Sequence, residues 1–248
     1  MPLLQAEEIT VRFGGHVALA EVSVDAEAGI VTGLIGPNGA GKTTCFNVLS
    51  GLLKPDAGRV MFDGDEISDV PAFKRGRLGI ARTFQRIEVF GSLTVYENVL
   101  VAAEIRKRWA RGPSDGDGDA DPRQESEELV DLVGLRDVAR ERVDSIPTGL
   151  ARLTELARSL ATRPRLILLD EPSSGLDDAE SDAFGELLLR LTDEGLAILL
   201  VEHDIDLVMQ VCARIHVLEF GQIIAVGNPP EIQRNPQVQA AYLGTGAA

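Results

Sequence analysis

The sequence predicts an α/β domain built around a glycine-rich loop. That loop, residues 36–44, lies between an apolar stretch at residues 30–35, which reads as a buried strand, and a helical stretch at residues 43–53. Two later runs of aliphatic residues, 166–169 and 197–201, indicate strands that are covered on both faces. Strands of this kind alternating with helical stretches are typical of the α/β class.

Composition limits the classes of function. With 248 residues, of which 44% are hydrophobic, the chain can bury one large α/β core or a core with a small appended domain. Its 24 basic and 39 acidic residues give a net charge of −15, which argues against nonspecific nucleic-acid binding. Cys45 and Cys212 are expected to be buried thiols, not a disulfide framework. Since no signal-like or membrane-spanning stretch is recognisable, we expect a cytoplasmic chain whose membrane role, if any, requires partners.

The loop has the spacing of a phosphate-binding loop. Gly36, Gly39 and Gly41 can adopt left-handed conformations that turn backbone amides toward a triphosphate, and the start of the next helix adds positive potential. Lys42 would supply charge to the β- and γ-phosphates, and Thr43 a hydroxyl to Mg²⁺. A glycine-rich turn that binds nothing is the alternative. The predicted nucleotide-binding residues of the loop are Gly36, Pro37, Asn38, Gly39, Ala40, Gly41, Lys42, Thr43 and Thr44.

The N-terminal part of the chain predicts antiparallel strands. Residues 3–24 alternate polar and apolar positions around a Gly-Gly turn, and residues 59–62 read as a short further strand. Phe13 stands just before the turn, where its ring can stack on a purine or simply pack.

The middle of the chain becomes helical. Residues 80–85 read as a strand that ends in the amide of Gln85, and residues 93–110 as a helix with a Thr94–Glu97 capping box. Residues 111–123 have no apolar face and are predicted to be a flexible solvated loop. Their alternating Asp residues leave calcium binding as an alternative, although a calcium loop of the EF-hand type also needs a terminal Glu at fixed spacing and two flanking helices in register.

Two helices and two acidic strand ends follow. Residues 126–133 and 150–161 are predicted helices, and the second should direct its N-terminus at an anion. At the end of the next strand, Asp170 would hold Mg²⁺ and Glu171 would orient or deprotonate a nucleophile, unless both only cap a helix. His203, at the end of the strand at 197–201, can donate to a γ-phosphate or be structural.

These motifs together identify a family. In their order and spacing they resemble the nucleotide-binding subunits of ABC transporters over essentially the whole chain. The matching segments are residues 36–44, Gln85, residues 170–172, residues 174–177 and His203. More narrowly, residues 80–85, 90–99 and 241–244 resemble the ATPase subunits of branched-chain amino acid importers, to which lipopolysaccharide-export and urea-importer ATPases are similar.

The resemblance implies a single ABC ATPase domain. Residues 1–85 and 163–248 would form a RecA-like P-loop NTPase core with an antiparallel β subdomain, and residues 86–162 an inserted α-helical subdomain. Two cassettes would pair head to tail and hold ATP and Mg²⁺ between the phosphate loop of one and the signature turn, Thr148 and Gly149, of the other.

Roles for single residues follow from the same resemblance. Phe13 would stack on adenine and Asp177 would cross the dimer interface. The catalytic residues would be Glu171, His203 and Gln85, and the metal ligands would be Thr43, Gln85 and Asp170. The expected partners are a second ABC ATPase subunit, transmembrane permeases and a solute-binding protein, with no nucleic acid, which places the chain on the inner face of the cell membrane.

The signature turn departs from the family. Residues 146–150 read Ile-Pro-Thr-Gly-Leu where these proteins usually have Leu-Ser-Gly-Gly-Gln. Leu150 removes a side-chain donor, so either ATP-driven closure is weaker or a partner supplies the better signature. Two other classes compete with a transporter ATPase. A soluble ABC ATPase acting on ribosomes or DNA usually has fused cassettes, coiled-coil insertions or basic linkers, and a small-molecule phosphotransferase needs an acceptor site.

Overall fold

The computed structural model describes residues 2–109 and 121–243, and these form ten strands and nine α-helices. The strands are β1 (Leu4–Phe13), β2 (His16–Ala26), β3 (Val31–Ile35), β4 (Ala57–Phe62), β5 (Asp65–Glu66), β6 (Ile80–Arg82), β7 (Leu166–Asp170), β8 (Ala197–Val201), β9 (Cys212–Glu219) and β10 (Gln222–Gly227). The helices are α1 (Lys42–Leu49), α2 (Ala72–Leu78), α3 (Val95–Trp109), α4 (Pro122–Leu132), α5 (Thr148–Leu160), α6 (Asp178–Asp193), α7 (Ile205–Val211), α8 (Pro229–Arg234) and α9 (Pro236–Leu243).

The central sheet has six strands in the order β10-β9-β3-β8-β7-β6. Strands β9, β3, β8, β7 and β6 are parallel, and β10 joins β9 as an antiparallel edge. Every residue of β3, β7 and β8 is buried, which explains their continuous aliphatic sequence. Because parallel strands end at one edge of the sheet, the chain segments that follow β3, β7 and β8 meet there.

A second sheet is antiparallel, with four strands in the order β2-β1-β4-β5. Phe13 pairs with His16 across the turn between β1 and β2. Apolar residues of this sheet, of α1 and of one face of the central sheet share a core that includes Leu4, Phe46 and Leu199. The predicted α/β class, with an antiparallel unit near the N-terminus, is confirmed.

Helices α3, α4 and α5 pack on one another and lie within residues 86–162, the stretch predicted as helical. The predicted capping box at the start of α3 is confirmed: Thr94 Oγ1 accepts from the Glu97 amide at 3.1 Å, and Glu97 Oε2 accepts from the Thr94 amide at 2.8 Å. Buried Asn98 binds both the amide and the carbonyl of Phe90, so the chain that enters α3 is fixed to the helix.

Several predicted boundaries were wrong. Helix α1 ends at Leu49, and not at residue 53, because Gly51 leaves the helical conformation with φ +78°. Strand β6 ends at Arg82, and not at residue 85, although the Thr83 amide still donates to the Leu168 carbonyl of β7. Helix α4 starts at Pro122, where the Asp121 side chain accepts from the Arg123 amide.

The predicted loop at residues 111–123 lies outside the described residues up to position 120, as does its calcium alternative. Within the described ranges, no helix is both long enough and apolar enough to cross a membrane. Cys45 and Cys212 are buried free thiols, as predicted, and burial raises the pKa of each to about 12. Both therefore stay protonated near neutral pH.

Candidate nucleotide-binding site

The phosphate loop connects β3 to α1, as predicted, and backbone conformation and close contacts explain why glycine occupies its key positions. Gly36, Gly39 and Gly41 have φ values of +154°, +79° and +111°. A Cβ atom on Gly36 would lie 1.9 Å from the Leu218 carbonyl oxygen, and one on Gly41 would lie 2.8 Å from the Ala18 carbonyl oxygen. The loop therefore keeps its close fit against neighbouring strands only with glycine at these two positions.

Lys42 is folded back onto the loop. Its Nζ donates to the Gly36 carbonyl at 2.6 Å and to the Pro37 carbonyl at 3.0 Å. Burial lowers the pKa of Lys42, while the charges of Glu171 and Asp170 oppose the shift. Burial also raises the pKa of the Tyr242 phenol to about 12, opposed by a hydrogen bond with the Gly36 backbone that joins α9 to the loop.

The predicted carboxylates stand at the carboxyl end of β7. Asp170 is buried, and its backbone amide donates to Thr83 Oγ1 at 3.2 Å. Burial raises the pKa of Asp170, and the nearby Arg82 guanidinium opposes the shift. Glu171 adopts φ +51°, a left-handed conformation that a residue with a side chain rarely takes, and its amide donates to the Val201 carbonyl at 2.8 Å.

Glu171 is held by the two other predicted catalytic residues. Gln85 Nε2 donates to Glu171 Oε2 at 3.0 Å, and His203 Nε2 lies 2.6 Å from Glu171 Oε1. Gln85 follows β6 and His203 follows β8, on either side of β7. The sheet topology thus brings together three side chains that are far apart in the sequence.

Arg82 was not singled out by the sequence. Its Nη2 lies 3.3 Å from Asp170 Oδ2, and its Nη1 donates to Asn47 Oδ1 at 2.8 Å and to Ser50 Oγ at 2.9 Å. Its guanidinium also lies 4.8 Å from the centre of the Phe84 ring. An arginine three positions before the end of a predicted strand gave no signal, because its partner Asp170 is 88 residues away.

A cavity of about 560 Å³ gathers most of the predicted residues, a volume that suits a small-molecule ligand. Its walls include Phe13, Asn38, Gly39, Ala40, Gly41, Lys42, Thr43, Thr44, Gln85, Glu171 and His203. The Phe13 ring is 54% exposed at the cavity rim, where a planar base can reach it. His16, Ala18 and Val201 also line the cavity and were missed. Gly36, Pro37 and Asp170 lie in the elements around it but do not form its walls.

The signature turn and Asp177 also lie outside this cavity. Thr148 begins α5 and Gly149 is buried next to the Gly175–Leu176 turn, so a Cβ on Gly149 would lie 2.7 Å from Leu176 Cδ2. Asp177 caps α6 by accepting from the Glu180 amide at 2.9 Å. No side chain caps the start of α5, so its first amides are available to an external acceptor.

Glu202 is a further residue that the sequence did not mark. It is 3% exposed, and it accepts from the amides of Ser173 at 2.8 Å and His203 at 3.1 Å. Burial raises its pKa, and the Ser173 hydrogen bonds oppose the shift. Glu202 thereby joins the turn after Glu171 to the turn that carries His203.

Two comparisons of sequence identify relatives. Residues 19–174 match the family model described as "ABC transporter", and residues 222–248 match "Branched-chain amino acid ATP-binding cassette transporter". The high-affinity branched-chain amino acid transport ATP-binding protein BraF of Pseudomonas aeruginosa is 37% identical, with 98% of each chain covered. The lipopolysaccharide export system ATP-binding protein LptB of Haemophilus influenzae is 33% identical, also with 98% of each chain covered.

Solved structures agree with these relatives. The ADP conformation of an ATP-binding cassette of an ABC transporter matches with a TM-score of 0.85 at 31% identity, covering 98% of this chain and 99% of that one. A dimeric cassette in a post-hydrolysis state, bound to ADP and Pi, matches with a TM-score of 0.78 at 26% identity, covering 91% and 98%. The family model covers more than half of this chain and BraF matches nearly all of it, so the chain belongs to the ATP-binding subunits of ABC transporters.

Proposed function

We propose that this chain binds Mg·ATP in the cavity above the phosphate loop and hydrolyses it with Glu171 as the catalytic base. The observation that carries the proposal is the position of Glu171, which shares a cavity wall with Lys42 and is held on both carboxylate oxygens by Gln85 and His203. A carboxylate fixed in this way can accept a proton from water in one defined direction.

The residues present fit a magnesium ion. Thr43, Gln85 and Asp170 offer a hydroxyl, an amide and a carboxylate oxygen, which are hard donors of the kind that Mg²⁺ prefers. Among the described residues no cluster of three or more His, Cys, Asp or Glu side chains forms a metal cage. Mg²⁺ usually takes few protein ligands and completes its shell with water and substrate phosphates, so such a cage is not needed. When bound, the ion would neutralise charge on the β- and γ-phosphates.

Residues of this chain would bind the phosphates and the adenine and would activate the attacking water. Loop amides and Lys42 would bind the phosphates, which requires Lys42 Nζ to exchange the Gly36 and Pro37 carbonyls for phosphate oxygens. Glu171 would orient the attacking water and receive its proton. His203 would contact the γ-phosphate, and Phe13 at the rim would stack on the adenine.

Two substitutions test this assignment. Glu171→Gln should keep ATP affinity while lowering turnover about 10²–10⁴-fold, the usual contribution of a positioned base. Exposed Glu186 on α6 provides the matched control, since Glu186→Gln should leave turnover unchanged. Lys42→Ala should weaken ATP binding by at least about tenfold, because hydrogen bonds to charged groups are lost. Undiminished hydrolysis in Glu171→Gln, or ordinary ATP binding in Lys42→Ala, would contradict the respective role.

A second cassette would complete the site. Thr148, Gly149 and the uncapped start of α5 lie outside this chain's own phosphate cavity, which suits contact with ATP held by a partner cassette. Asp177 would lie at the same interface. The relative that was solved as a dimer supports pairing of this kind. Light scattering of Glu171→Gln with and without ATP tests it, and a mass that stays monomeric with every available partner subunit would refute it.

We further propose that the cassette drives transmembrane permeases that import branched-chain or related amino acids delivered by a solute-binding protein, from the inner face of the membrane. The similarity to BraF and the match of residues 222–248 support this substrate class over lipopolysaccharide export. Leucine uptake by cells that express Glu171→Gln instead of the wild-type chain should be lost. Normal leucine uptake together with failed lipopolysaccharide export would overturn the assignment, and co-purification with ribosomes or DNA and without membrane chains would favour a non-transport ATPase.

A further inference from the structure

One face of helix α5 presents three charged side chains to the segment that carries Gln85. Arg152, Glu155 and Arg158 are spaced three residues apart, so they project from the same side of the helix. They face residues 84–90, which lie between strand β6 and helix α3. The last β6-side amide that bonds to the neighbouring strand belongs to Thr83, which donates to the Leu168 carbonyl at 2.9 Å.

Beyond Thr83, side chains of α5, and not a neighbouring strand, form hydrogen bonds with the backbone of this segment. Arg152 Nη1 donates to the Phe84 carbonyl at 2.8 Å, and Nη2 donates to the Gln85 carbonyl. Glu155 Oε1 accepts from the Glu88 amide at 3.2 Å and from the Phe84 amide at 3.5 Å. The backbone on both sides of the Gln85 side chain is therefore bound to one helix.

The Arg152 and Glu155 side chains are 8% and 4% exposed, and Arg152 Nη1 lies 3.7 Å from Glu155 Oε2. Burial raises the pKa of Glu155, opposed by the Glu88 and Phe84 amides and by Arg152. A buried pair of this type does not usually stabilise a fold more than apolar side chains of the same size. Its effect here is to orient the backbone, because the two terminal nitrogens of the Arg152 guanidinium bind two consecutive carbonyls.

We propose that Arg152 and Glu155 are positioning residues that set the distance between the Gln85 amide and Glu171 and bind Gln85 to the signature helix α5. The proposal rests on the role proposed above for Gln85. Gln85 Nε2 donates to Glu171 Oε2 at 3.0 Å, so a shift of the backbone at Phe84 or Gln85 would move this amide relative to the base. Gln85 and the start of α5 then move as one unit.

The main test uses the double variant Arg152→Met/Glu155→Met, which removes the contacts without leaving either charge buried and unpaired. It should unfold at a temperature close to that of the wild-type chain. Hydrogen exchange should become faster at the Phe84 and Glu88 amides, and kcat should fall about 10- to 100-fold, as expected for small displacements of catalytic groups, with the affinity for ATP unchanged. Arg152→Lys, which keeps the charge but can reach one carbonyl at a time, should lose less activity.

A double-mutant cycle separates positioning from general damage. If Arg152 and Glu155 act through Gln85, their double variant should cause no further loss of kcat when Gln85 is already alanine. Arg136→Met, which removes an exposed arginine paired with Asp131, is the matched control and should leave kcat unchanged. Full additivity with Gln85→Ala, or unchanged exchange at Phe84 and Glu88, would overturn the proposal. Unchanged kcat in Gln85→Ala alone would instead refute the role proposed for Gln85.

Discussion

Replacing Arg82 with methionine should destabilise the fold strongly, because it leaves the Asp170 carboxylate buried without its partner. The two side chains are 7% and 4% exposed. Breaking a buried pair by removing one member costs about 3–5 kcal/mol. The hydrogen bonds of Arg82 to Asn47 and Ser50, which fix the end of α1, are lost as well. For a domain of this size the expected fall in melting temperature is about 6–20 °C, from roughly 2–4 °C per kcal/mol.

Urea unfolding followed by circular dichroism, without nucleotide, measures this loss. The Arg165–Asp63 pair is the matched control, since its side chains are 51% and 58% exposed and its atoms lie 2.7 Å apart. Arg165→Met should therefore cost less than about 1 kcal/mol despite the shorter distance. Adding Asp170→Asn to Arg82→Met should recover part of the stability by removing the unpaired charge. Equal losses in Arg82→Met and Arg165→Met would refute the reasoning.

Two further predictions concern the loop and a buried acid. Gly36→Ala should abolish tight ATP binding, because its Cβ would meet the Leu218 carbonyl oxygen. In Gly39→Ala the Cβ would meet nothing within 4 Å, so this variant should pay only the conformational strain of a left-handed backbone, about 1–2 kcal/mol. Titration with a fluorescent nucleotide compares the affinities of the two variants, and equal affinities would contradict the steric explanation. Burial raises the pKa of Glu202 above its ordinary 4.5, so the folded state binds this proton more tightly and the stability of the wild-type chain relative to Glu202→Gln should fall as pH rises from 4.5 through the raised value. Unfolding at a series of pH values checks this, and a difference that does not change with pH would exclude it.

The elements that were predicted best from the sequence are those that depend on patterns between residues close together in the chain. The aliphatic runs of β3, β7 and β8 are buried along their whole length, so their pattern alone identifies them. The Thr94–Glu97 box likewise depends on a spacing within four residues. Boundaries were less predictable where a distant contact decides them. The Thr83 amide still bonds to β7, but from Phe84 onward the backbone binds side chains of α5, which lies about seventy positions later.

The candidate site likewise contains residues that short sequence patterns mark and residues whose contacts depend on distant segments. Glycines and a lysine at fixed spacing indicate the phosphate loop, and an acidic pair after a buried strand indicates the catalytic edge. Arg82, Arg152, Glu155 and Glu202 gave no such signal, because each acquires its partner only when distant segments fold together. The shifted pKa of Glu155 and that of Glu202 both arise from burial, which local spacing does not reveal.

Helix α5 contacts the surroundings of Glu171 from two directions. Through Arg152 it binds the backbone of Gln85, whose amide donates to Glu171. Through Gly149 it packs against the turn that begins at Glu171 itself, where a Cβ would already meet Leu176 at 2.7 Å. Since packed interiors transmit displacements instead of absorbing them, a shift at the start of α5 must reach the base by both routes. In the dimer proposed above, a γ-phosphate bound at the signature turn of one chain would therefore alter the environment of Glu171 in that same chain, and α5 would couple the two ATP sites.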